Sequence, residues 1–185
     1  MDFSYFLIFL SFILSLSLTT LYEGIGTYIK NKNRYRGQIL FSWTLFIWIL
    51  VMTFAIVQYF IGIYALHDKS FNNIWIYLIN MALVTIIFII CRMLVPDLNA
   101  PDIEGMLAKK KAYHLSDYFE RNRRSIANAG ILLFFLYAFS YYFSKCTWQG
   151  YFIERFPFHI VFVVILVTMG YIKKIKHFWY LQSFC

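Results

Sequence analysis

The sequence predicts an all-α, polytopic integral membrane protein with about five transmembrane helices and a short amphipathic cytoplasmic helix. Three observations carry that expectation. Apolar residues make up 61% of the chain and charged ones only 14%, the apolar residues fall into long runs, and the basic residues gather between alternate runs. A soluble domain of this size holds nearer ~45–50% apolar and ~25% charged residues, interleaved along amphipathic elements. Runs of about twenty apolar residues instead match the ~30 Å hydrocarbon layer of a bilayer.

The first run, residues 3–21, carries no formal charge. Its start holds Asp2 and no Lys or Arg, and bulky Tyr22 and Glu23 follow, so it reads as a retained helix and not as a cleaved signal peptide. The second, residues 39–66, is interrupted only by Ser42, Thr44, Thr53, Gln58 and Gly62. It exceeds what one crossing needs, which predicts a tilted or protruding helix. The third, residues 74–95, stops at Pro96 and carries Arg92 near its end, where the long stem lets the guanidinium reach the headgroups. The fourth is residues 126–143. The fifth, residues 158–172, spans if residues 151–153 extend it, giving 152–172.

Charge placement tests this arrangement independently of hydropathy, because cytoplasmic loops of membrane proteins carry excess Lys and Arg. Five crossings put residues 22–38, 96–125 and the tail after Ile172 on one side. With Arg92, those segments hold 14 of the 17 basic residues, and the whole formal charge of +8 falls there. The opposite side holds Lys69, Lys145 and Arg155, balanced by Asp2, Asp68 and Glu154. Removing the fifth crossing would weaken the split to 11 against 6. The expected location is a bacterial cytoplasmic (inner) membrane, with the amino terminus outside and the carboxyl terminus in the cytoplasm. Trp43, Trp75, Trp148 and Trp179 fall near the expected span ends, where amphipathic rings favour the interface.

Motifs for catalysis are absent. Cys91, Cys146 and Cys185 show no metal or redox spacing and are separated by the expected topology, and Cys185 is not in a prenylation motif. His67, His114, His159 and His177 are dispersed. There is no metalloprotease pair, phosphate-binding loop, nucleophile elbow or dinucleotide glycine pattern, and no carboxylate is embedded in the interior of a span. The expectation is therefore no enzyme, no cofactor and no metal.

The polar residues inside the spans are the remaining candidates. Ser4, Ser11, Ser15, Thr19 and Glu23 recur at spacings of seven and four, along one slowly drifting face. That row reads either as a wetted, pore-lining stripe or as small-residue helix contact, in which hydroxyls bond across helices in lipid. Gln58 and Asn80 avoid lipid and so need partners: each other, another subunit, or a water-filled path. The pore-lining candidates are Ser4, Ser11, Ser15, Thr19, Gln58 and Asn80.

Residues 97–125 form the sizeable polar linker. It opens acidic with Asp97, Asp102 and Glu104 and turns basic at Lys109, Lys110 and Lys111. From Ser116 a helix is expected, with Asp117 and Glu120 suiting the positive end of its dipole. Leu115, Tyr118, Phe119, Asn122 and Ile126 share one side, which predicts an interfacial helix before the chain turns into the fourth span. The cations read either as topology plus attraction to anionic lipid, about 1 kcal/mol each, or as an anion-binding site built from Lys109, Lys110, Lys111, Arg121, Arg123 and Arg124. Arg forks grip phosphates bidentately and Lys adds point charge.

Tyr118, Phe119, Asn122, Arg123 and Arg124 before a span, after a helix ending in Leu94, Val95 and Pro96, resemble a recurring pattern in small bacterial multi-span proteins of unassigned function. A short cationic multi-span chain without an enzyme domain is also similar to channel-type membrane effectors of bacterial anti-phage systems, the Hailong type for example. That resemblance implies a nucleotide or oligonucleotide ligand and a soluble bacterial partner enzyme. It supplies no binding residue for this chain. The functional expectation is an oligomeric membrane ion channel, gated from its basic cytoplasmic side by such an anionic ligand. The alternative is a non-conducting membrane interaction or assembly protein whose cytoplasmic linker docks a soluble partner. A hydrated stripe in the assembled structure would favour the channel, whereas a bundle closed by Leu and Phe with an apolar cytoplasmic groove would favour the alternative.

Overall fold

A computed structural model describes residues 3–35, 38–64, 74–98, 101–109 and 111–145, together with 160, 163, 164, 167 and 168. In chain order its elements are helix α1 (Phe3–Arg34), strand β1 (Ile39–Leu40), helices α2 (Trp43–Tyr64), α3 (Ile74–Leu94) and α4 (Pro101–Ala108), strand β2 (Tyr113–His114) and helix α5 (Leu115–Lys145). The expected fifth span lies outside the described residues.

Helix α1 is 32 residues long, roughly 48 Å at the α-helical rise, and this corrects the expected end of the first helix at residue 21. The reason is that its inward stripe does not end at the apolar run. Phe6, Leu10, Leu14, Ser17 and Leu21 are buried at spacings of four and three, and Asn31 is buried ten residues further on. Between them Gly24 lies against Val95: a Cβ there would sit 2.5 Å from Val95 Cγ1 and 2.7 Å from Cγ2. Lys32 and Arg34 occupy the last turn, where cations suit the negative end of the dipole.

The second run is also corrected. Ile39 and Leu40 form β1, so the helix starts at Trp43 and measures 22 residues. Ser42 caps the helix, its Oγ accepting the Leu45 N–H at 3.3 Å and its carbonyl accepting the Phe46 N–H at 3.1 Å. No protrusion is then required. Helix α3 agrees with its expected span, and its buried Ile76, Asn80, Leu83, Val84, Ile87, Ile90, Cys91 and Leu94 form one face. The linker differs from expectation. Residues 116–126 are not a separate interfacial helix but the first third of α5, which continues unbroken to Lys145. Leu115, Phe119 and Ile126 are buried on a face that stays in register through buried Ser140, so nothing forces a turn.

Side-chain contacts fix the directions. Phe6 meets Tyr77 edge-on at 4.7 Å and Gly24 meets Val95, so α1 runs parallel to α3. Tyr59 near the end of α2 bonds Asn80 near the start of α3, and the Tyr118 hydroxyl at the start of α5 donates to the carbonyls of Met93 at 2.9 Å and Val95 at 3.3 Å. Both α2 and α5 are therefore antiparallel to α3, which is the central helix and touches α1, α2 and α5. Their shared interior is closed by Leu, Ile and Met: Leu10, Met52, Ile56, Leu83, Val84 and Ile87 are each at most 3% exposed. Among the described residues three helices are long and apolar enough to cross a membrane, Tyr5–Arg34, Trp43–Ile61 and Ile74–Leu94. This is a helical membrane protein.

Candidate interaction site at the basic end of the bundle

The alternating directions bring the end of α1, the start of α2, the end of α3 and the start of α5 together. A two-residue parallel bridge ties them, pairing Ile39 with Tyr113 and Leu40 with His114, and the Tyr113 N–H donates to the Gln38 carbonyl at 2.7 Å just before it. The two basic linkers, distant in sequence, thus meet at one end. Burial pushes the Tyr118 phenol above its ordinary range, with Tyr113 adding to the effect and Arg92 opposing it. The group stays neutral and keeps donating to the last carbonyls of α3.

The cations at this end are not one cluster. Lys109, Lys111, Arg121 and Arg124 are exposed, whereas Arg123 is half-buried and pairs with Glu120 at 3.3 Å. The Arg121 Nε–H donates to the Asp117 carbonyl of its own helix at 3.4 Å. Arg123 therefore sits on a different face of α5 from Arg121 and Arg124, which divides the anion-binding set expected from sequence. Lys110 lies outside the described residues. Three further cations join the end from α1: Lys30, Lys32 with its ammonium 5.8 Å from the Tyr28 ring centre, and Arg34 at 5.2 Å from the Tyr35 ring.

Beside these cations lies a cleft of about 210 Å³ between α1, α2 and the end of α3, lined by Gly24, Tyr28, Phe41, Leu45, Phe46 and Pro96 among others. Ser42 and Ile49 also line it, so it runs about 10 Å down α2 from the basic end. Two buried side-chain polar atoms in the described structure lack a hydrogen-bond partner, Tyr28 Oη and Gln38 Oε1. Both are at this end, and the Tyr28 side chain lines the cleft. A buried phenol without an acceptor is uncommon.

The pore-lining candidates do not converge. Ser15 and Thr19 are exposed and Ser11 is half-buried, on the side of α1 away from the Leu10, Leu14 and Leu21 stripe. The Ser11 and Thr19 hydroxyls donate to their own helix carbonyls, Leu7 at 2.7 Å and Ser15 at 2.9 Å. The Ser4 side chain lies outside the described residues, and Gln58 is exposed on α2. Asn80 is buried and its partners are Tyr59, whose hydroxyl donates to Oδ1 at 2.7 Å, Ser140 at 3.4 Å and the Ile76 carbonyl at 2.7 Å. Asn80 is thus an interhelical clamp at the end opposite the cations, and it does not bond Gln58.

Sequence reasoning missed Ser17, Tyr28, Asn31, Tyr59 and Ser140. The spacing of Leu10, Leu14 and Leu21 marks the inward face on which Ser17 and Asn31 fall. No group of three or more His, Cys, Asp or Glu that could hold a metal occurs among the described residues. Comparison with protein-family models, curated proteins and solved structures finds no match.

Proposed function

We propose that this chain is a non-conducting membrane interaction protein whose basic end docks a soluble anionic partner on the cytoplasmic side of a bacterial inner membrane. In this reading α5 supplies a fourth crossing, residues 152–172 a fifth, and the amino terminus lies outside. The observation that carries it is the β1–β2 bridge, which joins two basic linkers into one platform above a bundle closed by Leu and Ile. A closed interior with a tied basic face suits docking better than conduction, because ions need a continuous hydrated path.

A second reading is favoured by the outward row of Ser11, Ser15 and Thr19 and by exposed Gln58. Several copies arranged with α1 inward would place that row on a shared axis, giving an oligomeric channel gated at the basic end by a nucleotide or oligonucleotide, as in an anti-phage effector with a partner enzyme. Ion flux through liposomes holding the full chain separates the two. Docking predicts no flux above protein-free vesicles and crosslinks to soluble bacterial protein from a photoreactive group at position 109. Flux that disappears in the double variant Ser11→Leu, Ser15→Leu would establish the channel instead.

A further inference from the structure

The apolar cleft is separate from the exposed α5 cations and has its own chemistry. Its walls are hydrocarbon and aromatic from Phe41 down to Ile49 of α2, with Gly24 and Ile25 lining it from α1. Its axis therefore follows α2 from the basic end into the apolar layer. Tyr28 lines its upper end, and the Tyr28 hydroxyl is buried and has no acceptor. One turn further along α1 the Lys32 ammonium stands 5.8 Å from the Tyr28 ring. Tyr28, Ile29 and Lys32 recur at three and four residues, so the donor, an apolar wall and the cation share one face of the helix. Asp97, beside the lining Pro96, already has an interaction partner, and Glu23 is exposed one residue before Gly24, on another face of α1.

We infer that the cleft binds one acyl chain of an anionic glycerophospholipid, whose phosphate faces Lys32 and whose entry turns the Tyr28 phenol so that the ester carbonyl accepts its proton. Each part of the lipid meets a feature it matches, in the order the membrane imposes: charge at the basic end, ester below it, hydrocarbon deepest. A soluble anion would leave the apolar walls uncovered, and an apolar molecule would leave the phenol unpaired. Exposed cations elsewhere on this end attract anionic headgroups without selecting among sites. Tyr28 and the cleft add position.

The full chain is reconstituted in nanodiscs of mixed phosphatidylglycerol and phosphatidylcholine, released into neutral detergent, and weighed by native mass spectrometry. One retained phospholipid per chain is expected, enriched in phosphatidylglycerol. Lys32→Gln removes about fivefold of that enrichment while leaving an acyl lipid bound. Lys30→Gln, a matched change on another face of α1, leaves the enrichment intact. Tyr28→Phe weakens retention of both lipids, and Ile29→Trp, at an exposed lining position, abolishes it, with helical circular dichroism unchanged in each. Equal effects of the two lysine changes, or retention unaffected by Ile29→Trp, overturn the assignment to this cleft. So does a photoreactive group at position 46 that crosslinks to polypeptide and not to lipid.

Discussion

Replacing Gly24 by Ala sets two effects of known size against each other. Alanine in a helix interior is better than glycine by about 0.8–1.0 kcal/mol. Against this, the added methyl would lie 2.5 Å and 2.7 Å from the two Val95 methyls, nearly 1 Å inside ordinary contact. Valine is stiff about χ1, so relief requires moving α1 or the end of α3, and overpacking of this kind costs roughly 1–3 kcal/mol. The net expectation is a loss of up to about 2 kcal/mol. Gly26 supplies the control, because a Cβ there meets nothing within 4 Å and Gly26→Ala should stabilise by nearly the full propensity term. Val95→Ala removes both clashing methyls and leaves only the Cβ at 3.1 Å, so Gly24→Ala should become neutral or stabilising in that background. Unfolding of the purified chain in mixed micelles with increasing dodecyl sulfate, followed by far-ultraviolet circular dichroism, measures the wild type and all four variants. Equal shifts for Gly24→Ala and Gly26→Ala, or a Gly24→Ala defect that persists beside Val95→Ala, would refute the close approach of α1 and α3.

Two further perturbations test the ends of the bundle. Tyr59→Phe and Asn80→Leu should be coupled by roughly 1 kcal/mol in the same assay, because each removes the 2.7 Å bond that the other also removes; strict additivity would dissolve the clamp. Tyr118→Phe should lower stability by about 1 kcal/mol through loss of the donor to Met93 and Val95. Because burial raises the Tyr118 phenol above its ordinary value in the folded chain, its contribution is fully present below the unfolded value and is lost as pH rises through the folded one. The wild-type chain should therefore lose stability on an alkaline limb that Tyr118→Phe flattens, and parallel alkaline limbs would count against that bond.

Some of this architecture was legible in residue order. The third helix could be read to within one residue because Pro96 removes a backbone donor and closes a run with no earlier breaker. Hydropathy failed at the end of α1, where Asn31 is buried among polar neighbours: a helix can continue past the apolar layer when its inward face still has a wall to meet. It failed again at Ile39 and Leu40, since a strand of two residues is defined by Tyr113 and His114, more than seventy positions away. The cation set was legible by composition but not by direction. Arg121, Arg123 and Arg124 are adjacent in sequence, yet a helical step of about 100° per residue separates Arg123 from the other two. The cleft had no linear signature, as its lining comes from α1, α2, the end of α3 and Leu115.

The positions of the polar groups bear directly on whether one copy of the described bundle could conduct. Buried Asn80 and Ser140 bond each other, Ser17 donates to the Ile13 carbonyl at 2.9 Å, and Leu and Ile fill the interior between α1, α2 and α3. Hydroxyls satisfied by carbonyls of their own helix have little reason to hold a water file in a closed interior. Exposed polar surface lies elsewhere: Ser15, Thr19 and Gln58 face outward, as do Phe12, Phe54 and Trp43, which are each more than 60% exposed. An outer face mixing large aromatics with a single hydroxyl row suits lipid contact, and it becomes a conduit only if several copies turn the same row toward a common axis. Conduction and self-association are therefore one hypothesis for this chain. The mass of the detergent-free particle in native nanodiscs tests it: a single copy per disc removes the channel reading, and a closed ring of copies restores it.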